Sequence, residues 1–171
     1  MSYFSFKPEF DPDAEAMRGG AAVERGGAAV GMLFELPALE FGAVVLLRQW
    51  CDGEAGRSAI AHDFSVTLGS ARGAEAVNLL AGLVTLMVQR GRRPPMRHAA
   101  DCSCFGGDES AFAQLVATAT TGERDDAMAF AMIFLPPAEA FEAVLTAERL
   151  GPVILSLARA WTAARIPPTH H

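Results

Sequence analysis

The sequence reads AEAVNLLAGLVTLMVQR over residues 74–90, and this stretch decides the fold. Its polar side chains, apart from the terminal arginine, fall on one narrow stripe formed by Glu75, Asn78, Thr85 and Gln89. A helix with so thin a polar face is expected to be buried on most sides. We therefore predict a central helix over residues 74–90, ended by Gly91.

Helical periodicity continues on both sides of this stretch. Residues 58–67 are interpreted as a short helix rather than a strand, because the surrounding segments are helical. Proline and glycine mark the ends of the other segments. The predicted helices are 37–50, 58–67, 74–90, 109–121, 127–135, 138–150 and 152–165. Without the short segment 58–67 they give five to six main helices, which predicts an all-α, single-domain helical bundle.

Residues 1–33 are predicted to form a flexible N-terminal arm. The sequence RGGAAV occurs at residues 18–23 and again at 25–30, and paired glycines oppose a stable helix. Phe4, Phe6 and Phe10 precede this repeat and could pin the terminus onto the domain. The domain itself is assigned to residues 34–166. Residues 167–171, which include His170 and His171, are treated as a tail.

Composition narrows the classes of partner. The chain of 171 residues has a formal net charge of −6, which disfavours binding to nucleic acid or to an anionic membrane surface. The N-terminus shows no pattern of an export signal, and three cysteines is an odd number for a disulfide framework. We therefore expect a cytoplasmic protein with reduced thiols, and a protein partner or homo-oligomer.

The chemistry of the chain is concentrated in RHAADCSCFGGDE, residues 97–109. Zinc takes about four ligands from thiolates, imidazoles and carboxylates. His98, Cys102 and Cys104 supply three within seven residues. The candidates for the fourth ligand are Cys51, His62, Asp101 and Asp108. One residue separates the two thiols, which is closer than the usual spacing of structural zinc sites.

Two other interpretations of this loop stay open. Cys102 or Cys104 could be a reactive thiol of a redox protein or enzyme, although Asp101, Asp108 and Glu109 would oppose its thiolate. A Cys-x-Cys disulfide would also close a small, strained ring. Alternatively, both cysteines could be small apolar side chains of the core.

The sequence thus predicts a small helical protein with a Cys/His zinc site that acts as a structural or regulatory interaction module. Whether it is an enzyme is undecided, and interaction is preferred over catalysis. The alternatives are a thiol-based redox protein and an assembly subunit without chemistry. His62, next to Asp63 in an apolar segment, is expected to be a buried histidine of the core.

Overall fold

A computed structural model of the protein describes the backbone of residues 25–165 and the side chains of residues 26–161. Over this part of the chain, six helices and a two-stranded sheet are present. The helices are α1 (Ala38–Cys51), α2 (Glu54–Leu68), α3 (Ser70–Arg90), α4 (Gly107–Thr121), α5 (Arg124–Phe134) and α6 (Pro137–Arg165). The strands are β1 (Ala29–Met32) and β2 (Cys104–Gly106). The prediction of an all-α bundle with five to six helices is confirmed.

The centre of the bundle is α4, which packs against α1, α5 and α6. Phe112, Leu115 and Val116 of α4 are completely buried. The prediction that residues 74–90 form the central helix is wrong. Helix α3 packs against α2 and α6 and leaves a face that includes Thr85 and Val88 exposed. Part of this exposed face consists of Gly82 and alanines, which are not polar. The sequence of α3 therefore suggests more burial than the structure shows.

The last helix is continuous, whereas two helices separated by Gly151 were predicted. Pro152 lies inside α6, where it removes one backbone hydrogen bond. The helix continues because residues on both sides of the proline are anchored in the core: Leu150 and Ile154 are fully buried. Gly151 allows the side chain of Thr120 on α4 to approach the helix backbone closely. Tertiary packing therefore outweighs the local signal to break the helix.

Part of the predicted arm belongs to the folded domain. Strand β1 pairs antiparallel with β2, with Gly31 opposite Phe105 and Met32 opposite Cys104. A Cβ built at Gly31 would lie 2.8 Å from the Phe105 ring, so glycine at this position leaves room for the ring to pack against the strand. The domain therefore begins before residue 34. Residues 1–24 lie outside the described part of the chain.

The segment predicted as a short helix at 58–67 is helical and lies within the longer α2. Its histidine was expected in the core, but His62 is exposed. Its neighbour Asp63 instead accepts a hydrogen bond from Nε1 of Trp161 on α6, at 3.3 Å. His62 and Asp63 therefore do not form an acid–base pair. Residues that are adjacent in a helix do not face each other.

Helix α3 is long and apolar enough to span a membrane by length and composition, with a mean hydropathy of 1.3 over its best window. The same properties suit a helix of a folded domain. In this structure Leu80 and Leu83 are fully buried within the bundle.

Two helical glycines provide a matched test of the α4–α6 contact. Gly151→Ala should lower the free energy of unfolding, because the added Cβ would overlap with the Thr120 side chain. Gly82→Ala on α3 should raise it by about 0.4–1 kcal/mol, since nothing lies within 4 Å of the added Cβ and alanine favours the helix. Urea denaturation of both variants measures the difference. Equal effects of the two substitutions would contradict the close α4–α6 packing.

Candidate functional site

A completely buried ion pair lies between α1 and α4. The side chains of Arg48 and Glu109 are 1% and 0% exposed, respectively. Nε of Arg48 donates to Oε1 of Glu109 at 2.6 Å, and Nη2 donates to Oε2 at 3.0 Å. This two-point geometry matches the planar guanidinium to the carboxylate and fixes the orientation of both groups.

The remaining donors of Arg48 hold the cysteine loop. Nη1 donates to the carbonyl oxygen of Cys102 at 2.7 Å, and Nη2 donates to that of Cys104 at 2.6 Å. The carbonyl between them, on Ser103, accepts from the backbone N–H of Leu33 at 2.8 Å. Three consecutive carbonyls of the Cys-Ser-Cys segment therefore each have a fixed donor. The segment is held from the α1 side by Arg48 and from the β1 side by Leu33.

Glu109 accepts further hydrogen bonds that close the loop onto α4. Its Oε1 accepts from the backbone N–H of His98 at 3.0 Å, and its Oε2 accepts from that of Gly106 at 2.8 Å. Nδ1 of His98 lies 2.8 Å from Oε2. Burial alone would raise the pKa of Glu109, but the hydrogen bonds from Arg48, Gly106 and His98 outweigh it and lower the pKa. Glu109 is therefore ionised at neutral pH.

A second ion pair closes the start of the loop. Two guanidinium nitrogens of Arg93 contact the carboxylate of Asp108, with Nη2 at 2.9 Å from Oδ1. The N–H of Met96 donates to Oδ2 at 2.8 Å. Burial would raise the pKa of Asp108, but the bonds from Arg93 and Met96 lower it overall. The N-cap of α4 is Gly106, whose N–H donates to Oε2 of Glu109.

The two thiols of the loop lie side by side. Sγ of Cys102 and Sγ of Cys104 are 2.8 Å apart, and both residues are half-buried. Burial and the neighbouring Cys102 thiol raise the pKa of Cys104 to about 11, against a smaller lowering effect of Arg48. Cys104 is therefore a thiol, not a thiolate, at neutral pH. We call Cys102 and Cys104 together the dithiol.

The predicted zinc ligands are placed as follows. His98 contacts Glu109, Asp108 pairs with Arg93, and Asp101 and His62 are exposed. Cys51 ends α1, where its carbonyl accepts from Nη2 of Arg97 at 2.9 Å. Within the described residues, no group of three or more His, Cys, Asp or Glu side chains is arranged to hold a metal ion. The zinc site remains a prediction.

Sequence reasoning missed the two residues that organise the site. Arg48 carries a sequence signal, because it is a lone charge in the apolar run AVVLLRQW of residues 43–50. A charge in such a position is expected to be buried only with a partner. Glu109 was noted only as a negative charge near the thiols. Its pairing with Arg48 over 61 residues of sequence has no local signal.

Comparison with known proteins gave no relative: no family model, curated protein or solved structure matches this chain. The function is therefore argued from the geometry of the site alone.

The buried pair should dominate the stability of the loop. Glu109→Gln should lower the free energy of unfolding by about 3–5 kcal/mol, because it leaves the Arg48 guanidinium buried without a counter-charge. Glu148→Gln is the matched control, since Glu148 pairs with the 63% exposed Arg124 and its loss should have little effect. Chemical denaturation at pH 7 compares the two. Equal losses would show that the buried pair has no special role.

The lowered pKa values of Glu109 and Asp108 predict an acid-sensitive fold. Both carboxyls bind protons more weakly in the folded than in the unfolded chain. Their contribution to stability is therefore complete above the unfolded pKa values of about 4, and it is lost as the pH falls through the folded values. The free energy of unfolding, measured from pH 7 down to pH 2, should fall on the acid side. In Glu109→Gln this fall should be shallower, and an unchanged slope would contradict the assignment.

Proposed function

We propose that the protein is a thiol–disulfide redox protein whose reactive group is the Cys102–Cys104 dithiol. The observation that supports this most directly is the fixed backbone between the thiols. The carbonyls of residues 102–104 are held by Arg48 and Leu33, so the two sulfurs are close together before any reaction. A group that is already ordered loses less entropy when a bond forms.

The reaction is an exchange with an external disulfide R–S–S–R, either a small molecule or a partner protein. The thiolate of Cys102 attacks one sulfur, the R–S–S–R bond breaks, and the first R–SH leaves with the proton released by Cys102. The thiolate of Cys104 then attacks Sγ of Cys102 and releases the second R–SH, which takes the proton from Cys104. The dithiol loses two electrons and two protons, and the two R–SH molecules hold them.

The order of attack follows from the two environments. The pKa of Cys104, raised to about 11, makes it the poorer first nucleophile at neutral pH. We therefore assign the first attack to Cys102 and the second, within the protein, to Cys104. The second step is helped by the short distance between the sulfurs, 2.8 Å against about 2.05 Å in a disulfide bond.

The charge argument against a redox role is weakened by the ion pairs. Asp108 and Glu109 were expected to oppose a thiolate, but they face Arg93 and Arg48 at hydrogen-bond distance. The same pairing engages Asp108, one of the candidates for the fourth zinc ligand. Two adjacent thiols suit reversible oxidation, whereas tetrahedral zinc coordination takes about four ligands.

A disulfide between residues separated by one position closes a small ring, and the resulting strain makes it easier to reduce. The couple should therefore have a potential above about −300 mV, in the range of labile rather than structural disulfides. We measure this by equilibrating the full chain with glutathione buffers of known potential, trapping free thiols with an alkylating agent, and identifying the modified cysteines by mass spectrometry.

Cys51→Ser should leave this titration unchanged, because Cys51 is not part of the dithiol. Cys102→Ser should abolish the intramolecular disulfide. A wild-type chain that accumulates only glutathione adducts, or a disulfide that involves Cys51, would refute the proposal. Elemental analysis of the same protein tests the zinc prediction separately: stoichiometric zinc that is lost in Cys102→Ser would favour metal binding over redox function.

A further inference from the structure

An apolar groove lies beside the cysteine loop. Its volume is about 470 Å³, within the usual range of binding pockets. It is formed by the C-terminal parts of α1 and α3 and by the chain that leads into the loop. The lining residues are Leu47, Cys51, Val84, Val88, Pro94, Pro95 and Arg97. Val88 is 48% exposed, so a large apolar side chain has been left uncovered at this place.

Positive charge is present at the groove, although the chain as a whole is acidic. Arg97 lines it. Arg90 is the exposed last residue of α3, and Arg92 and Arg93 follow on the turn to Pro94, where they bind the carbonyl of Met132 and the carboxylate of Asp108. This is the densest arginine cluster in a chain with net charge −6. An occupant that combines apolar side chains with carboxylates would complement both features.

A segment of this composition is present in the chain itself. Residues 4–15 read FSFKPEFDPDAE. They contain three phenylalanines, four carboxylates and one lysine. The segment precedes the first described residue, Arg25. We propose that the groove binds this acidic, aromatic segment of the same chain. The proposal is independent of the redox function.

The path of the described chain favours this occupant over a separate partner. A Cβ built at Gly27 would lie 3.1 Å from Cε of Met96, and Met96 stands between Pro95 and Arg97, which both line the groove. Gly27, near the start of the described chain, therefore lies next to the stretch of chain that lines the groove. The residues between Phe10 and Gly27 span up to roughly 55 Å when extended, which is more than enough. Binding within one chain has an effective concentration in the millimolar range, so weak contacts suffice.

The segment and the groove are expected to make two kinds of contact, one apolar and one between opposite charges. The phenylalanine rings would cover Val84, Val88 and Leu47, where burial of apolar surface is stabilising. The carboxylates would lie near Arg97 at the rim, where solvent and salt screen the attraction. Docking should therefore depend mainly on the apolar floor and weaken partially at high salt.

The test uses the full chain with Phe6→p-benzoylphenylalanine, which forms covalent bonds to neighbouring C–H groups on illumination. Digestion and mass spectrometry locate the attachment site. We expect cross-links within one chain to peptides that contain residues 84–88 or 47–51. Val88→Glu should reduce their yield at least fivefold, while Val66→Glu should not, because Val66 is a similarly exposed valine on α2. Circular dichroism verifies that both variants are folded.

Three results would overturn the proposal. Cross-links that map outside the groove would place the segment elsewhere. Cross-links that join two chains, recognised by doubled mass and by dependence on protein concentration, would assign the groove to a second copy. A yield in the groove that is equal in Val88→Glu and Val66→Glu would show that contact there is random.

Discussion

The structure depends on the buried ion pair between Arg48 and Glu109. Removing two charges from water has a large cost, and the pair can compensate for it only when nearly every donor and acceptor is matched. Here the guanidinium binds the carboxylate at two points and two backbone carbonyls as well. The carboxylate in turn binds the N–H groups of His98 and Gly106. The pair therefore joins α1, α4 and both ends of the cysteine loop.

This arrangement gives the backbone of an irregular loop fixed hydrogen-bond partners. The loop from Gly91 to Ser103 contains no helix or strand, so its backbone groups need partners from other parts of the chain. Arg48, Glu109 and Asp108 supply charged partners, and β1 supplies the edge against which β2 pairs. The dithiol is thus placed on a backbone held from three directions. Our proposal of redox function is based on these fixed backbone contacts.

Most of the helices could be predicted from the sequence, because their apolar periodicity and their terminal glycines and prolines are local signals. Two predictions failed where long-range packing outweighs those signals. Pro152 does not break α6, since Leu150 and Ile154 are both anchored in the core. The second RGGAAV copy belongs to the Arg25–Gly27 turn and to β1, since its glycines allow close contacts with Asp108 and Met96.

The site could be predicted only in part. The clustering of His98, Cys102 and Cys104 pointed to the loop that Arg48 and Glu109 bind, but not to the contacts that these side chains make. The contact of His98 with Glu109 and the pairing of Glu109 with Arg48 join distant segments, and a single sequence has no signal for such pairs. A charge in an apolar helix shows that a partner must exist, and identifying that partner requires the structure.

The central claim is that Arg48 holds the cysteine backbone in place, and the double variant Arg48→Met/Glu109→Leu tests it most directly. Replacing both partners of a buried ion pair by apolar residues often costs less stability than removing one of them, and circular dichroism verifies that the variant is folded. The equilibrium constant for the Cys102–Cys104 disulfide against glutathione, measured in this variant and in wild type, should fall by roughly tenfold. That corresponds to about 1.4 kcal/mol, the cost of ordering about one residue of backbone. An unchanged constant in a folded double variant would contradict the claim.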